Sequence, residues 1–180
     1  MGKDRIRIAT VEDAPAFLAL IQEAFQEVKE YGIDWPSTNA TLESVTENIV
    51  NGTAIVLERE GRLIATISIR WPWDREIRVT QYPFLWWFAT ADELKGQGIG
   101  REFLRRVEEE FLIDLFKIPA YVLGTSGKKH PWLLEMYLRN GYQILSTREE
   151  EEDLGVALYK VLIPEQFDAQ LLQLPEAALK

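Results

Sequence analysis

Residues 95–100 read KGQGIG, with glycine at 96, 98 and 100. The run before them, FLWWFAT (84–90), is aromatic and apolar, as a strand would be, and the run after them, REFLRRVEEEFLIDLF (101–116), is strongly helical. A strand therefore hands over to a helix through three residues without side chains. One glycine is usually enough for so short a turn, so the three point to a ligand that approaches the backbone. A Walker loop requires Lys and Ser/Thr after its last glycine, and this chain has Arg101 and Glu102 there. The dinucleotide pattern G-x-G-x-x-G fails in both frames, because its third glycine falls on Arg101 or on Phe103. A helix N-terminus exposes unpaired N–H groups and partial positive charge, and successive amides in a glycine turn form a concave nest for an anion. With Lys95 and Arg101 flanking the turn in an otherwise acidic chain, a pyrophosphate is the economical occupant.

Working outward, IRIAT is a short strand. A helix is expected from an N-cap at Asp13 to Gly32, with Pro15 in its first turn and Phe17, Leu20, Ile21, Phe25 and Val28 along one face. A second helix spans about Thr41 to Val50 and stops at Asn51-Gly52. TAIVLEREGRLIATISIR reads as a hairpin turning at Gly61, and WPWDREIRVTQYP as a loop. The helix after the glycine turn is expected to reach Lys117, with Phe103, Leu104, Val107, Phe111 and Leu115 on one face. AYVLGTS is a strand, PWLLEMYLRNG a helix closed by Gly141, and YQILSTRE with LGVALYKVL a final strand pair. The order β-α-α-β-β-β-α-β-α-β-β predicts an α/β protein with a mixed, mostly antiparallel sheet flanked by helices. One domain over 1–180 is expected, with its core at about 5–162 and a C-terminal helical tail at 163–180. Phe167, Leu171 and Leu174 stand at roughly helical spacing in that tail.

The 180 residues carry a net charge of −9, which argues against nucleic acid as a partner, since that needs a clustered positive surface. The acidity fits a cationic or amine-bearing partner, or simply solubility. No apolar run approaches a membrane span, and MGKDRIRIAT has no secretory h-region, so a cytoplasmic protein without membrane partners is expected. With no cysteine and one histidine, no disulfide, thiol nucleophile or metal site is expected.

LKGQGIGREFL resembles motif A of the GCN5-related N-acetyltransferase (GNAT) superfamily, [RQ]-x-x-G-x-[GA], which cradles the pyrophosphate of coenzyme A. Lys95 stands where the family has Arg or Gln, while Gly98 and Gly100 match its glycines. HPWLLEMYLRNGY (130–142) is similar to a second family segment, NPxAxxLYxxxGF, with Tyr137 at the tyrosine and His130 in place of the asparagine. The resemblance implies an acetyl-CoA-dependent N-acetyltransferase that moves an acetyl group to a primary amine by direct attack. It also admits a non-catalytic acyl-CoA-binding module or a peptide or protein N-acetyltransferase. It implies cofactor contacts from Phe88, Ala89 and Thr90 on the strand, from Lys95, Gly96, Gln97, Gly98, Ile99, Gly100 and Arg101 in the turn, and from His130. Tyr137 would be the general acid that protonates the departing thiolate. Lys128 and Lys129 are either partners of a 3′-phosphate or ordinary surface lysines.

In this fold the acceptor pocket is built from loops that here hold Tyr31, Ile33, Asp34, Trp35, Trp71 and Trp73. Aromatic walls beside a carboxylate suit a small amine with an apolar part. Asp34, Trp35, Trp71 and Trp73 are the expected substrate-binding set. The tryptophans would serve a core or a homodimer seam equally well. Glu58, Asp34 and Asp92 are positional candidates for the base that deprotonates the amine, and no residue is singled out among them.

Overall fold

The structure is a computed structural model that describes residues 4–73 and 80–173. Leu174 and residues 74–79 of the long loop lie outside the described residues. Of the described residues, 4–69 and 86–109 form one compact unit, and 70–73, 80–85 and 110–173 form another.

The first unit opens with β1 (Arg5–Ile8), α1 (Ala14–Ala24), α2 (Gln26–Glu30) and α3 (Leu42–Asn51), followed by the hairpin β2 (Thr53–Arg59) and β3 (Arg62–Arg70). β4 (Phe84–Thr90) and α4 (Ile99–Arg106) follow. β1, β2 and β3 pair antiparallel in sequence order, and β4 is the next strand beyond β3. The hairpin turns on Glu60 and Gly61, both at positive φ (51° and 79°), as a type I′ turn requires. Helices α1 and α3 and the inner sides of β2 and β4 close over Phe17, Ile21, Val45, Val56 and Trp87. Burying each such side chain contributes about 1.5–3 kcal/mol.

Asp13 is not the cap of α1: the residue sits in αR and makes no side-chain cap bond. A 3₁₀ turn at Val11–Asp13 precedes the helix, and Thr10 and Asp13 form a capping box there. The Asp13 carboxylate also receives two bonds from the Arg7 guanidinium, at 2.7 and 2.8 Å, and that charge holds its pKa below the usual carboxylate range. The long first helix is broken at Phe25 (φ −98°, ψ 4°), where no Gly or Pro marks the break and where the Phe25 ring meets Trp35 edge-on at 6.4 Å. By contrast α3 starts as expected, with Thr41 and Ser44 bonding each other reciprocally at 3.1 and 2.9 Å.

The helix after the glycine turn changes character at Val107: nine residues, Val107–Leu115, are π-helical. The wider i→i+5 turn displaces the apolar face. Leu112 takes a fully buried place, whereas Leu115, expected on that face, is 57% exposed.

In the second unit the start of β4 pairs parallel with β5 (Ala120–Ser126), Phe84 lying opposite Val122. β7 (Leu154–Val161) pairs antiparallel with both β5 and β6 (Gln143–Glu149), and α5 (Pro131–Arg139) connects β5 to β6. The strand set is thus mixed and mostly antiparallel, with helices flanking it. The described part of the tail, residues 163–173, forms short 3₁₀ turns. It docks on its own unit: Phe167 stacks between Tyr82 (5.9 Å) and Tyr159 (6.0 Å), and Gln81 N donates to Leu171 O at 2.9 Å. No helix among the described residues is long and apolar enough to cross a membrane.

Candidate active site

The turn at 95–100 gives each glycine its own reason. Gly96 and Gly98 have φ of 78° and 80°, a region that costs an ordinary residue about 1–2 kcal/mol. Space does not forbid side chains there, because a Cβ on either would meet nothing within 4 Å. Gly100 is the reverse case: its φ is ordinary, but a Cβ would lie 3.0 Å from Thr90 Oγ1 and 3.5 Å from Phe88 Cζ. Two glycines thus shape the turn, and the third brings the head of α4 against β4. The first bond within α4 is Glu102 N to Gly98 O at 3.0 Å. The amides of Ile99, Gly100 and Arg101 come before it and have no carbonyl one turn back. A depression of about 320 Å³ opens at this point, lined by Thr90, Lys95, Gly96, Gly98, Gly100 and Arg101, with Leu94 and Ile99. Lys95 is less available than its sequence position suggests, since its Nζ lies 2.6 Å from Asp92 Oδ1 and 3.9 Å from Glu27 Oε2.

β4 supplies the other wall. The rings of Phe88 and Phe103 lie 6.3 Å apart, Thr90 faces Gly100, and Ala89 points the opposite way into the core. Trp87 adopts φ 51° with its ring buried against Phe17 at 6.1 Å, a conformation rare for a bulky residue in a strand. The strand is therefore irregular immediately before Phe88.

In the second unit Tyr137 is the buried residue of α5. Its ring lies 4.9 Å from that of Tyr142, and burial pushes its pKa up to about 12. The leucines and Met136 around it do less packing than their apolar character suggests, and Met136 and Leu138 are exposed. His130 precedes the helix, with its ring 4.0 Å from Trp132 and its amide donating to Ser126 Oγ at 3.2 Å, and its side chain does not cap α5. Lys128 and Lys129 pair with Glu149 (2.8 Å) and Glu152 (3.7 Å).

The loop that presents His130 and α5 is fixed by a residue that no pattern in the sequence singles out. Asp153 Oδ1 accepts from Ser126 Oγ at 2.7 Å and from the amides of Leu154, Lys128 and Lys129 at 2.8, 3.2 and 3.3 Å. Burial alone would raise its pKa, but the bonds from Ser126, Leu154, Lys129 and Lys128 together lower it. A lowered folded pKa means that this stabilisation is present above the unfolded pKa and is lost as pH falls through the folded value. Asp153→Ala should cost about 2–3 kcal/mol near neutral pH, since it strands donors that bond a charged group. Thermal unfolding should show a melting temperature lowered by roughly 5–10 °C at pH 7 and a smaller gap in acid. A gap that widens in acid would contradict this account.

The expected acceptor residues fall into two groups. In the first unit Asp34 accepts from Asn39 Nδ2 at 2.6 Å, and Trp35 meets Phe25. In the second, the rings of Trp71 and Trp73 are parallel at 5.2 Å, and Phe116 meets Trp71 edge-on at 5.1 Å. Trp73 is 69% exposed, so it plugs no core. Two of the base candidates are tied to cations: Glu58 Oε2 lies 2.9 Å from Arg7, and Asp92 holds Lys95.

Residues 16–143 match the family model described as the acetyltransferase (GNAT) family. The chain is 52% identical over 178 residues, covering 99% of its own length and 100% of the relative's, to the S-alkylcysteine N-acetyltransferase of Bacillus subtilis (strain 168). It is 38% identical over 164 residues, 91% of this chain and 96% of the relative, to the S-(2-succino)cysteine N-acetyltransferase of the same organism. Among solved structures, the PaiA N-acetyltransferase of Thermoplasma acidophilum in complex with coenzyme A shares the fold, with a TM-score of 0.66 at 16% identity, over 88% of this chain and 99% of that one. The chain belongs to the GNAT acetyltransferase family. It is an N-acetyltransferase.

Proposed function

We propose that the protein acetylates the α-amine of a cysteine carrying an apolar substituent on sulfur, with acetyl-CoA as donor. The head of α4 carries the donor half of this reading: three amides with no carbonyl one turn back, two glycines at positive φ and one glycine pressed against Thr90 make a cradle that fits a pyrophosphate. Near-complete coverage of the S-alkylcysteine enzyme at 52% identity supports the acceptor half.

Bound acetyl-CoA would supply the acetyl group as an activated thioester. The amides of Ile99, Gly100 and Arg101 would hold its diphosphate, with Gly96, Gln97 and Lys95 at the rim. The main chain of Phe88, Ala89 and Thr90 would run along the pantetheine arm and polarise the thioester carbonyl through an amide. His130 would bound the same arm. Tyr137 remains protonated across the physiological range because its pKa is near 12. Its phenol would donate a hydrogen bond to sulfur as charge develops there, and the proton given up by the attacking nitrogen would restore the balance.

Trp71 and Trp73 would face the sulfur substituent. Two tryptophan faces and a net charge of −9 favour an apolar substituent over a dicarboxylate. In a steady-state comparison, kcat/KM for S-methyl- and S-benzylcysteine should exceed that for S-(2-succino)cysteine by about 10-fold or more, which corresponds to about 1.4 kcal/mol. Equal or reversed values would refute the substituent preference.

A further inference from the structure

Tyr137 lies against a second tyrosine whose own position is unusually well determined. The Tyr142 amide donates to the Tyr137 carbonyl at 3.2 Å, and the two rings lie 4.9 Å apart at 60°. The Tyr142 hydroxyl shares a hydrogen bond with the hydroxyl of Tyr121 on β5, the two rings meeting edge-on at 5.9 Å. Lys160 on β7, whose register partner on β5 is Tyr121, places its Nζ 5.3 Å from the centre of the Tyr142 ring. Tyr121 is fully buried, and Tyr142 is 4% exposed.

An apolar ring at 142 would fill the same volume without a polar group to desolvate, so volume alone does not account for the hydroxyl. What the hydroxyl adds is direction: it ties the ring that backs Tyr137 to the central strand of the unit. We propose that Tyr142, fixed by Tyr121 and Lys160, is a positioning residue for acetyl transfer that holds the Tyr137 phenol in its reactive orientation. This rests on the reading of Tyr137 as the acid. The expected size of the effect follows from the steepness of catalysis in geometry, where a displacement of about 1 Å can cost on the order of 10²-fold.

The test is a double-mutant cycle on kcat and KM, with Tyr142→Leu and Tyr142→Phe each made in the wild-type and the Tyr137→Phe proteins. Tyr142→Leu should lower kcat on the order of 10-fold, with both KM values within about 2-fold. Tyr142→Phe keeps the wall and loses the tie, so it should still lower kcat by about 3-fold, a smaller loss than that of Tyr142→Leu, with KM unchanged. In the Tyr137→Phe background, Tyr142→Leu should change kcat by less than about 2-fold, since it has nothing left to position. If Tyr142→Leu fails to fold, the Tyr142→Phe arm decides by the same loss of effect in that background. Losses of equal size in both backgrounds, or changes confined to KM, would overturn the positioning role while leaving Tyr137 as the acid. Full turnover by Tyr137→Phe alone would remove the acid and the positioning role together.

Discussion

Tyr137→Phe should lower kcat on the order of 10²-fold, the usual scale for a lost general acid. The substitution removes one hydroxyl and almost no volume. Because Tyr137 is the residue that α5 buries, its ring must stay for the helix to dock, and phenylalanine keeps it. Acetyl-CoA affinity should change little, because the hydrogen bond to sulfur strengthens only as charge builds in the transition state. The pH dependence adds an independent check. Burial raises the phenol to about 12, so Tyr137 should contribute no basic limb to kcat below pH about 10. The sign for stability follows: protonated Tyr137 stabilises the fold fully below the unfolded pKa, and this is lost as pH rises toward the folded value. A variant with full kcat on an S-alkylcysteine, measured by thiol release, would exclude the acid role.

Gly98→Asp should abolish useful acetyl-CoA binding while leaving a folded protein. A Cβ at this position meets open space, so crowding is not the mechanism, and the backbone penalty is modest because aspartate tolerates left-handed φ. The loss comes from charge. A carboxylate beside a diphosphate at about 4 Å and an effective dielectric of about 20 is repelled by about 4 kcal/mol, roughly 10³-fold in affinity. Gly98→Asn carries nearly the same shape and backbone cost without the charge, so it should lose far less. Calorimetric titration of both variants with coenzyme A separates the terms. Equal affinities for Gly98→Asp and Gly98→Asn would show that no anion sits at the turn.

The parts of this molecule that were legible in the sequence are those set by local rules. The strand-to-helix turn at Gly96 and Gly98, the start of α3 near Thr41 and the hairpin turn at Gly61 were all readable, and each rests on contacts within a few residues. What was not legible depends on partners far along the chain. Leu112 and Leu115 exchange burial because the helix widens after Val107, which an apolar pattern read at one period does not reveal. Asp153 sits in an acidic run that reads as a solvated tip, and only the loop at 126–129, more than twenty residues earlier, makes it a buried acceptor. The roles of Phe116 beside Trp71 and of Tyr121 beside Tyr142 are likewise written in no local pattern. The glycine turn itself was legible, although the structural reason for Gly100 was not: it lies in a side chain of the preceding strand.

The most direct test is to incubate the protein with acetyl-CoA and S-methylcysteine, follow free thiol release, and locate the new acetyl group by mass spectrometry and NMR. One thiol should be released for each acetyl appearing on the α-nitrogen, at a rate that requires both the protein and the amine. Tight coenzyme A binding with no thiol release above the protein-free control, or an acetyl group found on the protein instead of the amine, would contradict it.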